Sequence, residues 1–380
     1  MTTRNHLQRH VARLAVVLAL VVVLLRVWPS SLFGADKAKA PASTPVEANT
    51  QNLVWPPPPD APRIRWVGQF SKFTDVTGEQ KKKKKPSWFE RLAGVKQQDE
   101  ELERGLADPY GIAVDSKKRI YVAEKELPGV VIFDRQAHTV EVRNASALGG
   151  IRLPLGIALD AHDRLFVSDA ELAAISCFNP DGSLAARFGS KELVRPAGIA
   201  IDRKRNRLYV ADVKGDKVNV YSTETFKLLE TIGGPGTPGG AEPATFALPS
   251  NVAVDRRGYL YVSDSFNFRV QIFNRRGRFV RAFGSLGDAP GQFARPKGLA
   301  VDSEGHIYVV DAVFNNFQIF DPEGQILLFV GTFGEQPGQF ILPAGIFIDE
   351  NDVIYTTEGV HGRVQIFQYI SQPDTAVKRR

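Results

Sequence analysis

Apolar and polar residues alternate in short runs along most of the chain. Six of these runs are near-copies: RIYVAE (119–124), RLFVSD (164–169), RLYVAD (207–212), YLYVSD (259–264), HIYVVD (306–311) and VIYTTE (353–358). Runs of this length, rich in β-branched and aromatic residues and bounded by turn formers, predict β-strands. Each follows a second repeated phrase: PYGIAVD (109–115), PLGIALD (154–160), PAGIAID (196–202), PSNVAVD (249–255), PKGLAVD (296–302) and PAGIFID (343–349). The opening prolines stand 45, 42, 53, 47 and 47 residues apart. A third apolar run follows, such as VVIF (130–133), VQIF (270–273), FQIF (317–320) and VQIF (364–367). A fourth ends in a hydrophobic residue and glycine, as at Phe188-Gly189 and Phe283-Gly284.

Four short strands recurring at this period predict the blades of a β-propeller. Each conserved slot in the phrase has a physical use. Proline opens the strand where no ladder donor is needed. Glycine at the third position permits close packing of inner strands near the axis. The closing aspartate starts a turn by accepting local amide hydrogen bonds. The sixth copy stops after its third strand. RIRWVGQF (63–70) stands alone between a Pro-rich run and a lysine run, and aligns without gaps on ILLFVGTF (326–333), itself a fourth strand. A lone strand leaves backbone groups unsatisfied. Placed in blade six, it closes the ring and removes an exposed edge. The expected fold is all-β: a six-bladed β-propeller over residues 63–370, with four antiparallel strands per blade. The last blade is completed by the N-terminal strand, an insertion spans 71–108, and a polar tail spans 371–380.

A hydrophobic helix is expected ahead of the propeller. Arg4, Arg9 and Arg13 precede LAVVLALVVVLL (14–25), and the apolar character continues past Arg26 to Phe33. That length spans a bilayer, and the basic flank orients it. Residues 1–33 are read as an uncleaved signal-anchor in the cytoplasmic membrane, single-pass, with the body periplasmic or extracellular. A cleaved signal peptide with release to the periplasm is the alternative. Residues 34–62, rich in Ala and Pro, are read as a semi-extended linker.

Charge and cysteine content narrow the function classes. The chain of 380 residues carries 48 basic and 42 acidic residues. Setting aside the four N-terminal arginines, Lys81–Lys85 and the C-terminal Lys378, Arg379 and Arg380 leaves 36 basic against 42 acidic. A mildly acidic body argues against a nucleic-acid surface. Cys177, the single cysteine, excludes an internal disulfide and sits in the apolar run ISCF as a buried thiol.

The P-x-G-[IVL]-A-[VIL]-D and [IL]-[YF]-V-[AS]-D phrases resemble NHL repeats, six times over residues 63–370. The resemblance implies a six-bladed propeller of the kind found in exported bacterial proteins. NHL propellers mostly bind proteins and sometimes RNA. One enzyme branch, the peptidyl-hydroxyglycine amidating lyases, uses a metal-bearing channel. Fold alone leaves the function open.

In such propellers the loops between second and third strands share a face with those between fourth and first strands, and that face is the default binding surface. Its aromatic and amide residues concentrate in blades four and five: Phe266, Asn267, Phe268, Phe314, Asn315, Asn316 and Phe317. About half of these phenylalanines belong to the core by strand alternation, and the rest are candidates to anchor a partner. Six acids end the second strands, namely Glu124, Asp169, Asp212, Asp264, Asp311 and Glu358. Their recurrence in every blade marks them as structural caps for backbone amides rather than a metal ring. His361 alone among the histidines falls on the binding face, while His138, His162 and His306 fall on the opposite one, too few for a His-rich metal centre. No catalytic residue, metal or other cofactor is therefore assigned. In the insertion, Ser87-x-x-Glu90 has the form of a capping box, and Trp88, Leu92 and Val95 share a helical stripe. The reading is a monomeric, membrane-anchored, non-catalytic scaffold that binds a protein or peptide, with an extracellular glycan as a further class. The rival is a propeller lyase or hydrolase, metal-dependent, working at the central channel. Intracellular RNA binding requires that the N-terminal segment not direct export.

Overall fold

The computed structural model describes residues 53–78 and 105–371. The anchor, Lys81–Lys85 and the Ser87–Val95 stripe lie outside them. Among the described residues no helix is long and apolar enough to cross a membrane.

Six antiparallel sheets follow one another along the chain. Blade one runs Pro109–Val114, Ile120–Glu124, Gly129–Asp134 and Thr139–Asn144. The inner strands of the next four blades are Pro154–Leu159, Pro196–Asp202, Pro249–Val254 and Pro296–Val301. Blade six uses Pro343–Ile348, Val353–Glu358 and Arg363–Tyr369, and its fourth strand is Ile64–Phe70. That strand lies antiparallel to Arg363–Tyr369, with Ile64 opposite Tyr369 and Phe70 opposite Val364. The ring is thus closed as the repeat count requires.

Blade six also carries a fifth strand. Val54–Trp55 pairs with Ile64 and Arg65, and the Trp66 amide donates to the Leu53 carbonyl at 2.9 Å. Trp55 packs edge-on against Phe367, with ring centroids 5.8 Å apart. The end of the Pro-rich stretch therefore turns back onto the sheet. Its prolines make the turn, and the apolar residues before them are half-buried against the sheet.

The core lies between blades. Phe70, Val114, Val122, Phe133 and Val364 join blades six and one, and equivalent clusters fill the other five interfaces. Cys177 is buried between blades two and three, where burial pushes its thiol up to about 11. The insertion leaves and returns at one point, where Lys72 bridges Gly105. Its first turn, Thr74–Thr77, places Val76 beside Phe73 in the first of these clusters.

Near the axis the inner strands approach closely. A Cβ on Gly156 would lie 2.3 Å from the Ala197 carbonyl oxygen and 2.9 Å from the Ile199 nitrogen. Both obstacles are backbone of the next blade, so they cannot swing away. Gly156→Ala is expected to lower stability by about 1–3 kcal/mol through overpacking, read as a lower unfolding midpoint. Blade four has Asn251 in this slot, and it is Gly198 of blade three that leaves room for that side chain.

Candidate functional site

The acids that end the second strands tie two sets of loops together. Glu124 accepts from the Ala107 and Asp108 amides at 2.6 and 2.7 Å. Asp169 accepts from Arg152 and Leu153 on one side and from Glu171 and Leu172 on the other. Asp212 holds the Val194 and Arg195 amides. Asp264 holds Ala247, and Asp311 holds Ala294 and Arg295. Glu358 departs from the pattern and bonds the side chains of His361 and Arg363. In blades one to five the loop leading into the inner strand is thereby fixed beside the loop that leaves the second strand, on one face.

At the centre of that face is a funnel of about 820 Å³. Its floor is made by the second residue of successive inner strands: Tyr110, Leu155, Ala197, Ser250 and Lys297. Above them stand the residues that precede the prolines, including Asp108, Arg195 and Arg295. Lys125, Lys214 and Phe266 come from the loops after the second strands. The Lys125 ammonium lies 5.0 Å and the Lys297 ammonium 5.8 Å from the Tyr110 ring centre. Burial, then the neighbouring Arg295 and Lys125 charges, push the Lys297 ammonium down to about 8. Burial raises the Tyr110 hydroxyl despite Arg295 and Arg195.

A second cavity of about 620 Å³ runs between the inner strands toward the opposite face, where Asp115, Asp202, Asp302 and Asp349 line it. These acids serve the turns that follow them. Asp302, for example, accepts from the Glu304 and His306 amides and bonds the His306 ring at 2.8 Å, which raises the imidazole's pKa.

Of the aromatic and amide residues singled out by sequence, Phe266 alone lines the funnel, and it is 50% exposed. Asn267 is buried and donates to Asp264 at 2.8 Å. Phe268 packs between blades four and five, and Phe317 is core between blades five and six. Phe314 is half-buried, with its amide on Asp311. Asn315 accepts from the Leu342 amide at 2.8 Å, and Asn316 pairs with Asp311 at the start of a strand. His361 stands between Glu358 and Glu335, away from the funnel lining. Sequence reasoning missed Tyr110, Arg195, Lys214, Arg295 and Lys297. For Tyr110 and Lys297 the available signal was the variable slot after each opening proline, which reads Tyr, Leu, Ala, Ser, Lys and Ala around the ring.

The third strands show a further missed regularity. Gln271, Gln318 and Gln365 are buried, and each amide donates to and accepts from backbone of the loop leading into its own blade.

A family described as a 6-bladed beta-propeller matches residues 244–317. A probable peptidyl-alpha-hydroxyglycine alpha-amidating lyase of Caenorhabditis elegans is 28% identical over 104 residues, 27% of this chain and 29% of that protein. NHL repeat-containing protein 2 of Homo sapiens is 32% identical over 95 residues, 23% of this chain and 13% of that protein. The chain thus spans less than a third of either relative. Among solved structures, an auxiliary nutrient binding protein from Bacteroides ovatus superposes with a TM-score of 0.55 at 13% identity, over 71% of each chain. That identity speaks to fold alone. With five four-stranded blades and a sixth that carries one strand more, each built on the same recurring phrases, the chain is a six-bladed β-propeller whose repeats are similar to those of NHL-repeat proteins.

Proposed function

We propose that the protein is a membrane-tethered, extracytoplasmic scaffold that binds a protein or peptide on the face carrying the second-to-third and fourth-to-first loops. The observation that carries this reading is the funnel: concave, partly apolar, edged by the exposed Phe266, and lined by the cations Lys125, Arg195, Lys214, Arg295 and Lys297. Five of the acids that the repeats bring to this face are already bonded to backbone amides, and Glu358 is bonded to His361 and Arg363, so none is poised as a general base. Tethering draws on the basic flank and apolar run at 14–33.

A rival reading, a lyase or hydrolase at the channel, draws on the name of the Caenorhabditis elegans relative and on Lys297, part of which is a neutral amine near pH 8. Site-directed photocrosslinking of the full chain in its membrane separates the scaffold from an unoccupied face. A crosslinker at Val313, exposed in the loop after the second strand of blade five, is expected to capture a partner, whereas one at Lys117, exposed in the first turn of blade one on the opposite face, is not. Phe266→Ala is expected to weaken capture by about tenfold, as for an exposed aromatic anchor. Equal capture from both faces, or none from Val313, overturns the proposal.

A further inference from the structure

We infer that the funnel is a receptor for a carboxylate carried on a partly apolar body, the free acid terminus of a peptide or a small organic acid. This rests on the scaffold reading and adds the chemistry of what is held.

The charge balance of the funnel is opposite to that of the folded body. Lys125, Arg195, Lys214, Arg295 and Lys297 face Asp108 and Glu126, an excess of three positive charges in one cavity. Several cations elsewhere in the blades are matched: Arg119, Arg164, Arg205, Arg269 and Arg363 each bond a carboxylate of their own blade. Among the described residues only Lys125 of the funnel's five is ion-paired, to Asp108 at 2.8 Å. Like charges gathered in a partly desolvated space destabilise the empty site and favour an anion within it.

The cations also converge from separate elements. Lys125 comes from blade one, Arg195 and Lys214 from blade three, and Arg295 and Lys297 from blade five, alternate blades around the ring. A guanidinium fork matches a carboxylate with two parallel hydrogen bonds. Between the cations the walls are Leu153, Leu155 and Val213, with Phe266 at the lip, so the body of the ligand is apolar. The funnel's cations ring one cavity rather than track a groove, which disfavours a nucleic-acid backbone at this site.

Lys297 supplies a proton-linked signature. The charged groups facing it are Arg295 from its own blade and Lys125 and Asp108 from blade one, and its ammonium lies 5.8 Å from the Tyr110 ring centre. A bound carboxylate restores the ammonium, so binding takes up a proton where the free lysine is partly neutral. With a free value of about 8, uptake at pH 8 is about half a proton and vanishes near pH 6.

The test is titration calorimetry of the full chain in detergent with acetyl-Ala-Leu-Ala-Phe as the free acid, the same peptide amidated, and N-acetylphenylalanine. Both acids are expected to bind, with the amide at least about tenfold weaker. A peptide acid tighter than the small acid marks a peptide terminus as the source, and equal affinities mark a free acid. Arg295→Gln and Lys297→Met are each expected to weaken the acids by about tenfold without lowering the unfolding midpoint. Lys297→Arg keeps binding and loses the proton uptake at pH 8. Equal binding of acid and amide, or no binding of either acid at millimolar concentration, overturns the inference. If Val313 still captures a partner in that case, the scaffold reading stands without it. If capture is lost as well, both fall.

Discussion

A chain lacking residues 53–70 is expected to lose its cooperative unfolding transition, or to melt far below the full chain. The deleted segment seals two interfaces at once. Ile64 is fully buried between blades five and six, and Phe70 is buried between blades six and one, 4.6 Å from the Phe133 ring. Truncating one such side chain costs about 2–5 kcal/mol. The two together approach the whole folding free energy of an ordinary domain, about 5–15 kcal/mol. The ladder to Arg363–Tyr369 is lost as well, which leaves that strand as an open edge. Circular dichroism melting and size-exclusion chromatography read both consequences, instability and association. Ile64→Ala is the graded control, expected to lower the midpoint by roughly 5–15 °C. A deletion chain that melts within a few degrees of the full one shows that the ring does not depend on its clasp.

The clasp was legible because a repeat that runs out one strand short announces what is missing. Gly111, Gly156 and Gly345 were legible for the same reason: the inner strands crowd at the axis, so five of the six blades write glycine there. The funnel was obscured by that very regularity. Comparing repeats draws the eye to shared residues, and the shared acids are occupied by backbone amides. The lining sits in slots where the blades differ. Lys297 and Tyr110 occupy the position filled by Ala197 and Ser250 in other blades. A search by residue type favoured Phe266 to Asn316, yet Asn267 and Asn315 spend their amides locally. The fifth strand of blade six escaped because Val54–Trp55 is too short to display a period of two.

Asp264→Ala is expected to cost about 3–5 kcal/mol, the penalty for breaking a buried, hydrogen-bonded ion pair from one side. The Asp264 carboxylate is wholly buried. One oxygen accepts from the Ala247 amide at 2.8 Å. The other accepts from Asn267, Arg269 and Gln271 at 2.8, 2.9 and 3.0 Å. Removing it leaves the Arg269 guanidinium buried with only the Glu242 and Thr245 carbonyls, which do not neutralise it. The same change frees the loop that carries Leu248 and the turn that carries Phe266, so the lip of the funnel loosens with the blade. Hydrogen exchange at Ala247 is expected to accelerate, and carboxylate binding to weaken, although Asp264 does not line the cavity. Lost packing and an orphaned charge predict different double variants. If packing dominates, Asp264→Ala with Arg269→Met is worse than either change alone. If the unpaired guanidinium dominates, the pair regains part of the midpoint lost by Asp264→Ala, because removing both charges is less costly than stranding one. The side-chain exposures of 7% for Arg269 and 0% for Asp264 favour the second outcome. A double variant that melts below Asp264→Ala overturns it and assigns this acid to packing.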